Sequence, residues 1–154
     1  MMAAVVALTL VGIAAGSRYW SRIAVDVVAA VRFEVRLAED GPADGFREVV
    51  ISGENRKIYL HPETVVTNSD IVTARVIQGD SLSTYNVVVT FTADGAGKMR
   101  RASQSHVGRP IAILIDGDVV MAPVVRSAIA TSAVISGSYT RAEAERIVAG
   151  IVGR

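Results

Sequence analysis

Apolar and polar side chains alternate most cleanly at VRFEVRL (residues 31–37), where Val31, Phe33, Val35 and Leu37 face one way and Arg32, Glu34 and Arg36 the other. A two-residue period is that of a strand with one buried face. After the loop AEDGPADG come REVVIS and RKIYL, strand-like runs separated by Gly53-Glu54-Asn55. They predict a hairpin whose second strand stops at His61-Pro62. TNSDI (67–71) offers Thr67 or Asn68 as the N-cap of one helical turn, with Asp70 near its positive end. ARVIQ (74–78) reads as an edge strand, and YNVVVTFT (85–92) as a strand with Val87, Val89 and Phe91 on one face.

Past Thr92 the period lengthens to about 3.6 residues, with Ala96, Met99, Ser103 and Val107 on one stripe. This predicts a helix of about three turns, capped by Thr92 or Asp94, with Gly108 at the left-handed C-terminal position and Pro110 preventing continuation. IAILI (111–115) is apolar without alternation, as a strand covered on both faces would be. Asp116-Gly117 is a preferred two-residue hairpin turn, VVMA returns as the partner strand, and Pro123 removes a ladder donor. SAVISG (132–137) is a further strand. Thr140 and Glu143 stand in capping-box spacing before a stripe of Ala144, Ile147, Val148 and Ile151, which predicts an amphipathic helix. Strands in hairpins together with two helices of one apolar stripe each predict an α+β, two-layer domain: a mixed, mostly antiparallel sheet with two main helices packed on it.

Upstream of this domain, MMAAVVALTLVGIAAGS carries no charged side chain. The run is short for a membrane span but within the length of a signal-peptide core. Val28 and Ala30 fit the small-residue cleavage rule, which would make Val31 the mature N-terminus. The expected organisation is therefore residues 1–30 as a signal peptide or membrane anchor and residues 31–154 as the folded domain. Arg18 and Arg22 follow the apolar run, and Tyr19 and Trp20 would sit at an interface if it stayed uncleaved. A core helix over residues 3–16 is the alternative.

At 154 residues the chain can close one core. Its 16 Lys and Arg against 15 Asp and Glu leave no basic excess of the kind that binds nucleic acid. The absence of cysteine removes disulfides, thiolate nucleophiles and thiolate metal sites. Asp116 and Asp118 could form a carboxylate pair or metal site, but no further ligands lie at a helpful spacing and the turn explains Asp116-Gly117. DGAGK (94–98) lacks the length and the Lys-Ser/Thr ending of a phosphate loop and reads as a helix start. His61 and His106 have no ligand partner nearby in sequence, and His106 suits the last turn of a helix. Ser103, Ser105, Ser127 and Ser136 stand in no nucleophile-elbow context and read as surface or helix residues. No catalytic, cofactor-binding or metal-ligating residue is assigned, and no cofactor is expected. The chemistry is that of a domain that binds or supports, not of an enzyme.

The order of motifs resembles the head part of the first periplasmic domain of the SecD family. The residues that carry it are Thr90-Phe91-Thr92, Gly95-Ala96, Val107-Gly108-Arg109, Asp116-Gly117, Ala122-Pro123-Val124, Ile135-Ser136-Gly137 and Thr140 to Ala144. They span residues 65–150, and VRFEVRL fits the strand that precedes the head in relatives. Where the family commonly carries Pro-Ile and Gly-Gly after the hairpin, this chain has Ala128-Ile129 and Thr131-Ser132. The resemblance implies a periplasmic or secreted location, or anchoring that faces the periplasm, and a non-enzymatic part in protein export. The implied partner is polypeptide or an envelope protein, with the export machinery nearby and a membrane contact through residues 1–17 if uncleaved. With no membrane helices after Arg154 and no base part, a stand-alone head is expected. The alternatives are a scaffolding envelope domain without polypeptide binding and, third, an envelope hydrolase.

Overall fold

The structure, a computed structural model, describes residues 31–152; the expected signal peptide or anchor lies outside the described residues. Eight strands and two helices follow one another as β1 (Phe33–Glu39), β2 (Arg47–Val50), β3 (Lys57–Thr67), β4 (Ile71–Gln78), β5 (Tyr85–Phe91), α1 (Ala93–Gln104), β6 (Ile111–Ile115), β7 (Asp118–Met121), β8 (Ser132–Tyr139) and α2 (Arg141–Val152). A single 3-10 turn, Asn68–Asp70, joins β3 to β4 where TNSDI predicts it. The α+β class is as expected, and every described strand pair is antiparallel. The strands divide into two sheets, a five-stranded one in the order β2-β3-β1-β6-β7 and a three-stranded one in the order β4-β5-β8.

The unbroken apolar run of β6 has the cause expected of it. Ile111 and Ile113 join a large cluster with Phe33, Val89, Met99, Ile135 and Ile147, while Ala112 and Leu114 face a second cluster of Ala38, Ile51, Ile58, Leu60, Val119 and Ala122. Both faces of β6 are therefore covered. The second cluster is enclosed because the sheet curls: Ser52 N–H, just past β2, donates to the Val119 carbonyl of β7 at 2.8 Å, so the two edges meet. The Arg56 guanidinium, bound to Asp40 at 2.7 Å, also reaches the Ala122 carbonyl at 3.2 Å.

Two local expectations are corrected. His61-Pro62 does not stop β3, which runs on to Thr67. Its register on β1 jumps from Leu60 opposite Ala38 to Thr64 opposite Arg36, so the proline occupies a bulge where no ladder donor is required. Its carbonyl instead accepts from the Arg36 guanidinium at 3.2 Å. Val107 is not on the buried stripe of α1 but 55% exposed, because the helix ends at Gln104 and the turns that follow send His106 inward instead.

Candidate functional site

Among the described residues, a cleft of about 330 Å³ opens between the start of β8 and the segment that leaves β7. Its floor is supplied by elements distant in sequence: Val35 of β1, Phe91 of β5, Met99 of α1, and Ile111 and Ile113 of β6. Ser132, Ala133 and Val134 form one wall, and Pro123 to Ser127 with Ile129 the other. Arg126 is the one charged residue of the lining.

The floor is fixed by the way α1 is seated. Thr92 Oγ1 accepts from Gly95 N–H at 3.0 Å, as an N-cap should. Asp70, 5% exposed, accepts from Lys98 Nζ at 2.7 Å and from Thr67 N–H at 3.0 Å, and its carbonyl accepts from Thr92 N–H at 2.8 Å. The first turn of α1 thus lies hard against the 3-10 turn. A Cβ at Gly95 would stand 2.5 Å from the Asp70 carbonyl oxygen, which accounts for glycine there.

The stretch after β7 is pinned at intervals. Pro123 and Val125 carbonyls accept from Ile111 N–H at 3.0 Å and Gly108 N–H at 2.9 Å, and Val125 N–H donates to the Arg109 carbonyl at 3.0 Å. Gly108 has the expected left-handed φ, 83°, but it does not cap α1, which ends earlier with Ser105 as its C-cap; the glycine serves the turn that follows. Further along, Ser103 Oγ accepts from Ile129 N–H at 2.8 Å while donating to the Met99 carbonyl at 2.7 Å. Ser103 is fully buried, so this hydroxyl is neither surface nor nucleophile; it is the post that holds the cleft wall to α1. Between these ties Arg126, Ser127 and Ala128 form an exposed crest.

The titratable residues singled out in the sequence do not converge on the cleft. Asp116 and Gly117 have φ of 52° and 92°, which makes them the two central residues of the predicted turn. Asp116 does more than turn: its Oδ1 accepts from Arg32 N–H at 2.8 Å and its own N–H donates to the Arg32 carbonyl at 2.8 Å, fastening the start of β1. Asp118 is exposed at the head of β7. DGAGK lies in the first turns of α1. His61 meets Phe46 edge-on at 5.0 Å, and buried His106 sits with Nε2 2.7 Å from the Ala38 carbonyl oxygen. Among the described residues no three His, Asp or Glu side chains gather as metal ligands. Two shifted groups stand together at the other end of β8: burial, then the nearby Glu143 charge, pushes the Tyr139 phenol up, while Thr140 N–H and Oγ1 hold the Glu143 carboxyl below its ordinary 4.5. Neither lines the cleft. The hollow is mainly apolar, with Ser127, Ser132 and the Arg126 guanidinium as the polar members of its lining, a chemistry that suits apolar chain.

Comparison with known proteins agrees with the order of motifs. A model of the family described as SecDF, P1 head subdomain, matches residues 46–151. Protein translocase subunit SecD of Elusimicrobium minutum is 35% identical over 111 residues, covering 72% of this chain and 23% of that protein. Protein translocase subunit SecDF of Thermus thermophilus is 35% identical over 99 residues, covering 61% and 13%. The chain therefore spans less than a quarter of the length of these relatives. A solved structure, of a membrane component SecDF said to enhance protein export, superposes with a TM-score of 0.67 at 24% identity, over 87% of this chain and 67% of that one. With the family match covering every described element but β1, the chain belongs to the SecDF P1 head subdomain family.

Proposed function

We propose that this domain works outside the cytoplasm as a non-enzymatic module of protein export, and that it binds polypeptide in the cleft beside β8. The observation that carries the reading is the lining of that cleft, whose floor is apolar and whose walls are mainly so, with Ser127 and Ser132 polar and only Arg126 charged. The relatives are translocase subunits, and translocation is the setting in which unfolded apolar segments are presented to such a surface. Residues 1–30 serve in this reading as the leader or anchor that brings the domain across the membrane.

A photo-reactive side chain in place of Ser127, on the exposed crest, tests it in the full chain expressed in its source cells. The expected result is ultraviolet-dependent adducts with several exported polypeptides, recovered from the envelope fraction, on a chain whose intact mass shows either a start near Val31 or the retained anchor. Adducts with one folded envelope protein alone, unchanged by the amount of secretory traffic, would establish the scaffolding alternative instead. A cytosolic, full-length chain without adducts would overturn both.

A further inference from the structure

The four strand edges of the two sheets are not protected alike. Edge strand β2 carries Arg47 and Glu48, the latter paired to Lys57 at 2.8 Å. Edge strand β7 begins at Asp118, is followed by Pro123, and receives the bond from Ser52. Edge strand β4 has Arg75 at its middle. Charge, proline and cover are the usual means by which a protein stops another chain from pairing with an edge. β8, SAVISGSY, has neither charge nor proline, and among the described residues nothing is paired to the side away from β5. Its distal half is bent by the register shift opposite Tyr85 and Val87, but Ser132 to Ile135 pair regularly with β5. That straight, unprotected stretch is the one that walls the cleft.

Resting on the polypeptide-binding reading above, we propose how the chain is held: an extended segment adds to the outer edge of β8 as a fourth strand, hydrogen-bonded along Ser132–Ile135. An added strand turns alternate side chains to opposite faces of the sheet. One set would lie beside Ala133, which packs against the core, and the other beside Val134, which is 46% exposed; both residues line the cleft. The favoured occupant is consequently apolar on both faces. Since Arg126 is the only charge in the lining, a basic residue is disfavoured there and an acidic one accepted. Main-chain bonds supply affinity without reading sequence, as a surface that meets many different chains requires.

The test uses the full chain and a fluorescent octapeptide of alternating valine and leucine ending in aspartate, together with its eight single N-methyl forms, read by anisotropy. Strand addition directs successive peptide N–H groups alternately toward and away from β8. The expected result is a period of two: methylation at every second position weakens binding about tenfold, and at the intervening positions leaves it nearly unchanged. Val134→Lys, at an exposed site the fold tolerates, should weaken the parent peptide similarly, whereas Val72→Lys on the β4 edge, 58% exposed, should not. Binding without the two-residue period, or equal loss in both variants, overturns edge addition while leaving polypeptide binding in place. Failure of the peptide while an unfolded protein still binds does the same. Failure of both removes the underlying reading. A homodimer broken by Val134→Lys that no peptide displaces would make a second copy the occupant and overturn the proposal.

Discussion

The five-stranded and three-stranded sheets draw on the same aliphatic residues and arrive at opposite relations with solvent. In the larger sheet, successive residues of β6 enter two different clusters, and the edges close on each other through Ser52 and Val119. In the smaller one, Val87, Val89 and Phe91 of its central strand face the large cluster, where α2 contributes Ala144, Ile147 and Ile151. On its other face Val72 and Val134 are exposed, and among the described residues no strand pairs with the outer edge of β8. The larger sheet is buried on both faces at β6 and opens mainly at its β2 edge, where Val50 is 53% exposed, so its centre is scaffold. An edge and one face left open are the minimum a binding sheet needs, and the cleft lies where the two sheets leave room beside that edge.

Truncating a side chain at the centre of the curled sheet should separate the two regions most strongly. Leu114 is 1% exposed in the smaller cluster. Leu114→Ala is expected to cost about 3 kcal/mol, the transfer of the lost methyl groups plus the cavity they leave. Val124→Ala, at a cleft-wall position 44% exposed, should cost under about 0.5 kcal/mol. Urea unfolding of both variants checks the contrast. Equal losses would mean that the cleft wall is as tightly integrated as the scaffold and that the distinction between the regions is wrong.

Much of the scaffold was legible because its signals are local. The alternation in VRFEVRL, the unbroken run IAILI, the Asp-Gly pair and the Thr140/Glu143 spacing each need only a few neighbouring residues to be interpreted, and each names an element that the structure contains. What resisted reading is non-local. Pro62 looks like a strand stop until β1 is placed opposite it with a shifted register. The division into two sheets depends on strand partners that no period encodes. The cleft is the extreme case: Val35, Phe91, Met99 and Ile113 each look like ordinary core residues, and only their assembly shows that one side of the core is left open. Ser103 was visible on the stripe of α1, but its bond to Ile129 crosses 26 residues and had no signature.

The β6–β7 turn offers a second, smaller way to sharpen the comparison, since it belongs to the closed region and is tied to β1 through Arg32. At Gly117 φ is 92°, and a Cβ there would lie 3.0 Å from an Arg32 guanidinium nitrogen. The guanidinium is flexible and can move; the backbone angle cannot. Gly117→Val should therefore cost about 2 kcal/mol, from the positive-φ penalty of a β-branched residue. Thermal unfolding reads it, and an unchanged midpoint would mean that the turn relaxes into another type at no expense to the hairpin.

The smallest effect expected is a pH dependence, and it belongs to the open region alone. The Glu143 carboxylate accepts from Thr140 N–H at 2.8 Å and from Thr140 Oγ1 at 2.9 Å, closing the capping box that starts α2 against the three-stranded sheet. These bonds favour the charged form, which holds its pKa below the ordinary 4.5 in the folded state. The unfolded chain then binds the proton more readily than the folded one, so the contribution is fully present above about pH 4.5 and is lost as the pH falls through the lower, folded value. Glu143→Gln lacks a titrating group at this position, and the stability difference between it and the parent chain should shrink across that window and stay level above it. Because the carboxylate is exposed, added salt should flatten the same curve. Amide exchange locates the effect: acid should loosen α2 and β4 before it reaches β6, which is held between β1 and β7. Simultaneous loosening of β6 would show that the two sheets open as one unit, and the closed scaffold would then owe part of its stability to the region that binds.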